Sequence, residues 1–498
     1  MSAVWHPQPE DLRQVFDEQN PWRRQGDVPA ALARHVERPL AQLLWRRLRD
    51  DQPRRYQIVL GPRRVGKTTA LYQSVRHLLA DGLPPNRVWW LRLDHPVLLQ
   101  QHLGDLVRTI VDACAATAEH PAYLMLDELV YTQQWDLWLK TFHDEQWPVR
   151  IAATSSATAA LRERRLESGV GRWSEQHLTP YLFTEFLDLI GEHEEMPAGE
   201  TLAATVAALR SGRSSAAALA ELRCTFMLIG GFPELLMTAR PNEIDEVESL
   251  LESQQVLRTD AIELAVYKDI PQSFGVDNPM MLERLLYALA AQMCGLLSPS
   301  SICRDLGLSQ PTFDRYLSYL ERAFLVFTLP NYSGRERTVQ KRGRKLYFVD
   351  GAIRNAALQR GLTLLDDPTE LGALLENLVV ASLRSVALHS GVRLHHWRDR
   401  NDEVDVVYDQ PDAPLAFEIG SSPQHGRSGL QALMDRHERF RDRCYLVAPQ
   451  ATVVHPSETS VGVGTLPLDL FLLVIGAQAR RALTGNLSTP TAISPADR

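Results

Sequence analysis

The chain has 498 residues, of which 45% are hydrophobic and 23% charged, with a formal net charge of −8. This length predicts about two to four domains, and the mildly acidic balance excludes a molecule that coats nucleic acid with its whole surface, leaving any such contact to a local patch. Five scattered cysteines without a C-x-x-C pair speak for a reducing compartment and against a zinc site, and neither an apolar signal core nor an apolar run near the roughly 20 residues of a membrane span is evident, so a cytoplasmic protein with no membrane partner is expected.

In chain order, residues 1–50 read as an N-terminal helical segment, with "NPWRRQ" as a loop and "RPLAQLLWRRLRDD" as an amphipathic helix. The next unit is expected over 51–195. Its first strand, Ile58-Val59-Leu60, breaks into Gly61, Pro62, Arg63, Arg64, Val65, Gly66, Lys67, Thr68 and Thr69. The glycines and Lys67-Thr68 have the spacing G-x-x-x-x-G-K-[ST] between a strand and a helix. Such a loop turns successive N–H groups toward one anion, and the helix that follows adds its partial positive charge. Lys67 is placed to reach the β- and γ-phosphates of a nucleoside triphosphate, and Thr68 to give a hydroxyl to Mg²⁺.

A phosphate loop needs a carboxylate to hold the metal. The strand Tyr123-Leu124-Met125-Leu126 ends in Asp127-Glu128. Asp127 is placed to hold Mg²⁺, and Glu128 to take a proton from the attacking water. Two further strands, "RVWWLRLD" ending in Asp94 and "VRIAATSSAT" ending in Thr154, Ser155 and Ser156, complete the expected sheet. Thr154 is a candidate sensor of the γ-phosphate, or else a helix cap. The order of elements is that of a doubly wound α/β plan. Of the arginines that follow, Arg172, beside Gly169 and Gly171, is the candidate finger ahead of Arg162, Arg164 and Arg165.

Residues 196–281, rich in alanine and leucine and interrupted by "IGGFPELL", read as a helical lid. Over 282–350 the pattern becomes helix, turn at Gly307, helix after Ser309, with Phe313, Leu317 and Leu320 on one face, as in a winged helix-turn-helix. The segment Arg335–Lys345 carries six basic residues, Arg335, Arg337, Lys341, Arg342, Arg344 and Lys345, where a wing would contact DNA phosphates. In the last unit, 351–475, Glu376 lies in a helix, Asp405 in one strand and Glu418 at the end of another. A helix acid, a strand aspartate and a later E-x-K make the metal site of restriction-endonuclease-like folds. Gly420 stands where the lysine is expected, so the cut should be lost unless Arg427 or another cation substitutes. Residues 476–498 form a tail.

The stretches "NPW", "LGPRRVGKTTAL", "LMLDE", "TSSATAALR", "GRWSEQHLTPYLFTEFL", "GGFPELL", "KLYFVD" and "ENLVV…EVDVV…FEIGSS" occur in the order seen in a large family of prokaryotic ATPases, and over about residues 18 to 470 the chain resembles that family. The resemblance implies an AAA-type, archaeal-ATPase-like P-loop domain, then a winged helix and a C-terminal nuclease-like domain. It implies ATP binding and hydrolysis through Lys67, Thr68, Asp127 and Glu128, and maps the family's Gly-Arg motif to Arg172. The expected function is an ATP-driven switch, with DNA, a second copy or another protein as partner. The alternatives are an ATP-gated DNA-binding regulator without turnover and an ATP-gated nuclease.

Overall fold

The computed structural model describes residues 8–34, 36–50, 54–155, 171–192, 195–238, 247–333, 343–361 and 367–485. Five short strands, β1 Tyr56–Leu60, β2 Val88–Arg92, β3 Ala122–Asp127, β4 Val149–Ser155 and β5 Trp173–His177, build the first sheet. All pair in parallel, in the order β2-β3-β4-β1-β5. β1 and β3 are buried along their whole length, which is why they read as near-continuous apolar runs. β5, "WSEQH", lacks that signal, and hydropathy does not reveal it. It is an edge strand, paired only to β1, and Trp173 is its one fully buried residue.

The N-terminal segment is pinned to the opposite edge. Asn20, in the turn after the helix Pro9–Gln19, donates from Nδ2 to the Trp90 carbonyl at 3.0 Å and accepts from the Trp90 N–H at 2.5 Å. The Trp22 indole donates to the Val88 carbonyl at 3.0 Å. One amide side chain thus satisfies backbone groups that an open edge strand would expose.

Between the sheets lies a helical region, with helices Ala217–Ile229, Pro233–Thr238 and Val247–Leu257, π-helical turns at Arg258–Glu263 and Ala265–Asp269, and helices Pro279–Ala290, Pro299–Leu306 and Gln310–Arg322. Gly307 ends one helix and the Ser309 hydroxyl caps the next, whose Phe313, Leu317 and Leu320 are buried. An antiparallel hairpin follows, β6 Val326–Pro330 with β7 Arg344–Phe348.

The C-terminal sheet is mixed. Strands β8 Arg393–Asp399, β9 Asp402–Asp409, β10 Leu415–Ile419, β11 Cys444–Ala448 and β12 Val463–Pro467 lie in the order β12-β11-β10-β9-β8. Their pairing is parallel from β10 to β12 and antiparallel from β8 to β10. The helices Pro368–Ser390 and Leu468–Thr484 pack on each other and on this sheet. Among the described residues, Pro368–Ser390 is the one helix long and apolar enough to cross a membrane. In the fold it is a core helix that also buries Asn377, Ser382 and Ser385. Helix Leu468–Thr484 runs through 476–484, residues expected in a tail, and buries Gly476, Gln478, Ala479 and Leu483; it returns to the helix Pro39–Arg49, where Arg46 donates to the Leu483 carbonyl at 2.6 Å.

Candidate functional site

The loop Gly61–Thr68 leaves the carboxyl end of β1, between β4 and β5, and runs into the helix Lys67–Ala80. Gly66 sits at φ +87°, a conformation that side chains disfavour. This bend lets the helix start directly beneath the loop and aims its free N–H groups into the space above. Thr68 is exposed there, whereas Lys67 is buried. The Lys67 ammonium donates to the loop's own carbonyls, Gly61 at 3.0 Å and Pro62 at 2.7 Å. Burial lowers its pKa, opposed by the nearby charges of Glu128 and Asp127.

β3, two strands away from β1, brings Asp127 to the same end of the sheet. The Thr68 hydroxyl lies 3.1 Å from Asp127 Oδ2 and 3.3 Å from Oδ1. From β4, between them, the Thr154 hydroxyl donates to Asp127 Oδ1 at 2.6 Å and accepts from the Glu128 N–H at 2.9 Å. Thr154 is fully buried, so its one hydroxyl is spent on joining the two acidic residues. Its place in the structure is that of a positioning residue. Glu128 is held at φ +57°, unusual for a residue with a side chain, and the Thr154 bond helps to fix it there. Burial pushes the Asp127 carboxyl up to about 6, against the opposing hydrogen bond from Thr154.

The two loop arginines are engaged from far along the chain. Arg63 forms a bidentate pair with Asp269, at 2.7 Å from Nε and 2.6 Å from Nη2. Burial opposes its charge, but the hydrogen bonds and charge of Asp269 raise its pKa overall. Arg64 pairs with Glu234 and Asp260. All three acids belong to the helical region, and Asp260 and Asp269 to its π-helical turns. A buried Arg38 braces the loop from the other side, donating at 2.9 Å to the Val65 and Thr179 carbonyls and pairing with Glu185 at 2.9 Å. Sequence reasoning missed Arg38, Glu234, Asp260 and Asp269. Nothing local marks them, because their partners lie 27 to 206 residues away.

Two expectations need correction. The Arg172 carbonyl accepts from the Tyr56 N–H at the start of β1, about 13 Å along that strand from the loop. Its guanidinium grips Asp144 at 2.7 and 2.9 Å and holds that carboxyl down at about 2. Arg172 therefore points away from its own chain's phosphate loop. Arg162, Arg164 and Arg165 lie outside the described residues.

The second correction concerns the basic segment. Lys345 does not face solvent, since its side chain is 3% exposed and lies among Glu376, Glu403 and Asp405. Arg344 faces Asp314 at 3.7 Å. Arg335, Arg337, Lys341 and Arg342 lie outside the described residues. The structure does bring Glu376, Asp405 and Glu418 together; the cation between Glu376 and Asp405 is Lys345, and the basic group facing Glu418 is the His425 ring at 3.4 Å, not Arg427. Burial, followed by the Asp405 charge, raises the Glu376 pKa to about 8 and that of Glu418 to about 7.

Residues 53–187 match a family model described as an AAA domain. Residues 221–363 and 371–470 match two domains of unknown function, DUF8612 and DUF4143. The chain is similar to the uncharacterized protein MJ1637 of Methanocaldococcus jannaschii, at 25% identity over 385 residues, covering 76% of this chain and 77% of that protein. It is also similar to MJ1544 of the same organism, at 23% identity over 71% of this chain and 72% of the relative. An uncharacterized protein of Haemophilus influenzae is 21% identical over 77% of this chain and 87% of its own length. Among solved structures, that of Cdc6p from Pyrobaculum aerophilum aligns at 15% identity with a TM-score of 0.26, covering 68% of this chain and 98% of that one. The first sheet and its loop thus belong to an AAA domain with a P-loop ATPase fold, which implies nucleotide binding.

Proposed function

We propose that the chain hydrolyses ATP and uses the cycle as a switch. The observation that carries this reading is the Thr154 hydroxyl joining Asp127 to the backbone of Glu128 beside Thr68. The donor set fits Mg²⁺, a hard cation that prefers oxygen ligands and keeps several waters, with the Thr68 hydroxyl and Asp127 to hold it. When bound, Mg²⁺ would neutralise charge on the β- and γ-phosphate oxygens.

The protein's own groups do the rest. Lys67 would exchange its loop carbonyls for phosphate oxygens, and the helix N-terminus would bind the β-phosphate. Glu128 would accept the proton of a water whose oxygen attacks the γ-phosphorus, as the bond to the β-bridging oxygen breaks and ADP leaves. The arginine clasp supplies a route outward. A triphosphate at the loop competes with Asp269 for Arg63, so its arrival biases the segment 258–269 and the helices after it.

The remaining assignments belong to the same proposal. The lid is 196–281, and 282–350 is winged-helix-like, supported by two helices turning at Gly307 ahead of the hairpin β6–β7. The unit that begins at 351 and takes in the helix Leu468–Thr484 is nuclease-like and degenerate, supported by the meeting of Glu376, Asp405 and Glu418. DNA engagement and assembly with a second copy or a protein partner are proposed outputs. A cytoplasmic site fits the five free cysteines.

The test is ATP hydrolysis by wild type and Glu128→Gln, with and without duplex or single-stranded DNA. Turnover by wild type, binding without turnover by the variant, and a rise with DNA are expected. Tight ATP binding by both proteins with no turnover under any condition would replace this reading with the non-hydrolysing regulator.

A further inference from the structure

The four carboxylates at the C-terminal site come from three elements: Glu376 from the helix Pro368–Ser390, Glu403 and Asp405 from β9, and Glu418 from β10. Their centre holds an ammonium. Lys345 Nζ lies 2.7 Å from Asp405 Oδ1, 2.8 Å from Glu376 Oε1 and 2.9 Å from Glu403 Oε1. Three N–H donors meet three carboxylates, which exhausts the donor capacity of the lysine.

The acceptors facing the lysine are committed as well, while Glu418 Oε2 is buried without a hydrogen-bond partner. Asp405 Oδ2 takes the Ile419 N–H at 2.9 Å, and Glu376 Oε1 also takes the Tyr347 hydroxyl at 2.7 Å. A divalent cation here would have to displace both a buried charge and these bonds, so the residues present do not fit a metal.

The lysine is foreign to the sheet that it completes. It comes from β7, and residues 345 and 347 of that strand, two apart, project into the cluster together. The position where the fold's own lysine would stand has no room for one. A Cβ on Gly420 would lie 2.5 Å from the His425 Cβ and 3.1 Å from the Ser422 carbonyl oxygen.

We propose that Lys345 is the resident cation of this site, standing where a nuclease would hold its metal and fastening the β6–β7 hairpin to the C-terminal sheet. The site is then an internal joint. This inference rests on the carboxylate geometry alone and stands whether or not the chain hydrolyses ATP.

The test uses Mn²⁺ as probe and full-length protein carrying Asp127→Asn, so that the phosphate loop does not compete for the ion. With Lys345 intact, Mn²⁺ titration followed by electron paramagnetic resonance should show no ion whose binding depends on Glu418. A bound Mn²⁺ that is lost on Glu418→Gln would overturn the proposal, and this arm needs no change at Lys345. In the second arm, Lys345→Ala should melt several degrees lower without metal and recover on adding Mn²⁺, or on adding Glu376→Gln. Unchanged melting of Lys345→Ala, or a loss that neither treatment relieves, would also overturn it, because the lysine would then act only through its alkyl chain.

Discussion

Asp127→Asn should make the nucleotide-free protein more stable while abolishing its Mg²⁺-dependent turnover. Burial holds the Asp127 carboxyl at about 6, against an ordinary value of 3.8. The folded state therefore binds this proton more tightly than the unfolded chain does. Stability falls as pH rises from about 4 to about 6, and the full cost is present above that window. At 1.36 kcal/mol per pKa unit the cost is about 3 kcal/mol at pH 8. The hydroxyl bonds from Thr154 and Thr68 are already part of that balance. Asparagine keeps the shape without the charge, so it should recover about 1–3 kcal/mol at pH 8 and lose that advantage below about pH 4. Urea unfolding in EDTA, followed by the fluorescence of the buried Trp90, Trp135 and Trp173, measures this directly. A variant less stable than wild type at pH 8, or one whose advantage is the same at pH 4 and pH 8, would refute the reasoning.

The same titration predicts that Mg²⁺ binding to the nucleotide-free protein weakens as pH drops through about 6, because the cation must then displace a proton from Asp127. An Mg²⁺ affinity unchanged from pH 5 to 8 by calorimetry would contradict it. Thr154→Val removes the bridge between Asp127 and Glu128, so kcat should fall about tenfold or more with KM for ATP little changed; steady-state kinetics decide. Asp269→Asn releases Arg63 from a charge-assisted pair worth about 1.5 kcal/mol, so ATP should bind up to about tenfold tighter by calorimetry, and weaker binding would sink the clasp as a competitor. Arg172→Ala should leave turnover at high dilution unchanged, since the guanidinium lies at the far end of β1 from the loop. A drop under those conditions would show that it reaches its own site after all.

The geometry of the candidate site was legible because its marks are local. A glycine loop must follow a strand and open a helix, and the acids must end a strand of the same sheet, so each requirement leaves a mark within about ten residues. The hydrophobic runs of β1 and β3 are equally local, a consequence of burial on both faces. β5 left no such mark, since an edge strand with polar residues looks like a loop until its partner β1 is known.

Tertiary structure decided what each charged side chain faces. Arg63 and Lys345 sit in basic stretches that read alike, yet one is gripped by an acid 206 residues away and the other fills a pocket of three carboxylates. Arg172 shows the converse, a residue in the right motif at the wrong end of its strand. The sequence by itself determined the strand–loop–helix and the acids that end β3, because backbone geometry and hydropathy act over a few residues. Only the fold decided the pairing of charges, because a buried ion is stabilised by whichever opposite charge shares its low-dielectric surroundings, and that proximity bears no relation to distance along the chain.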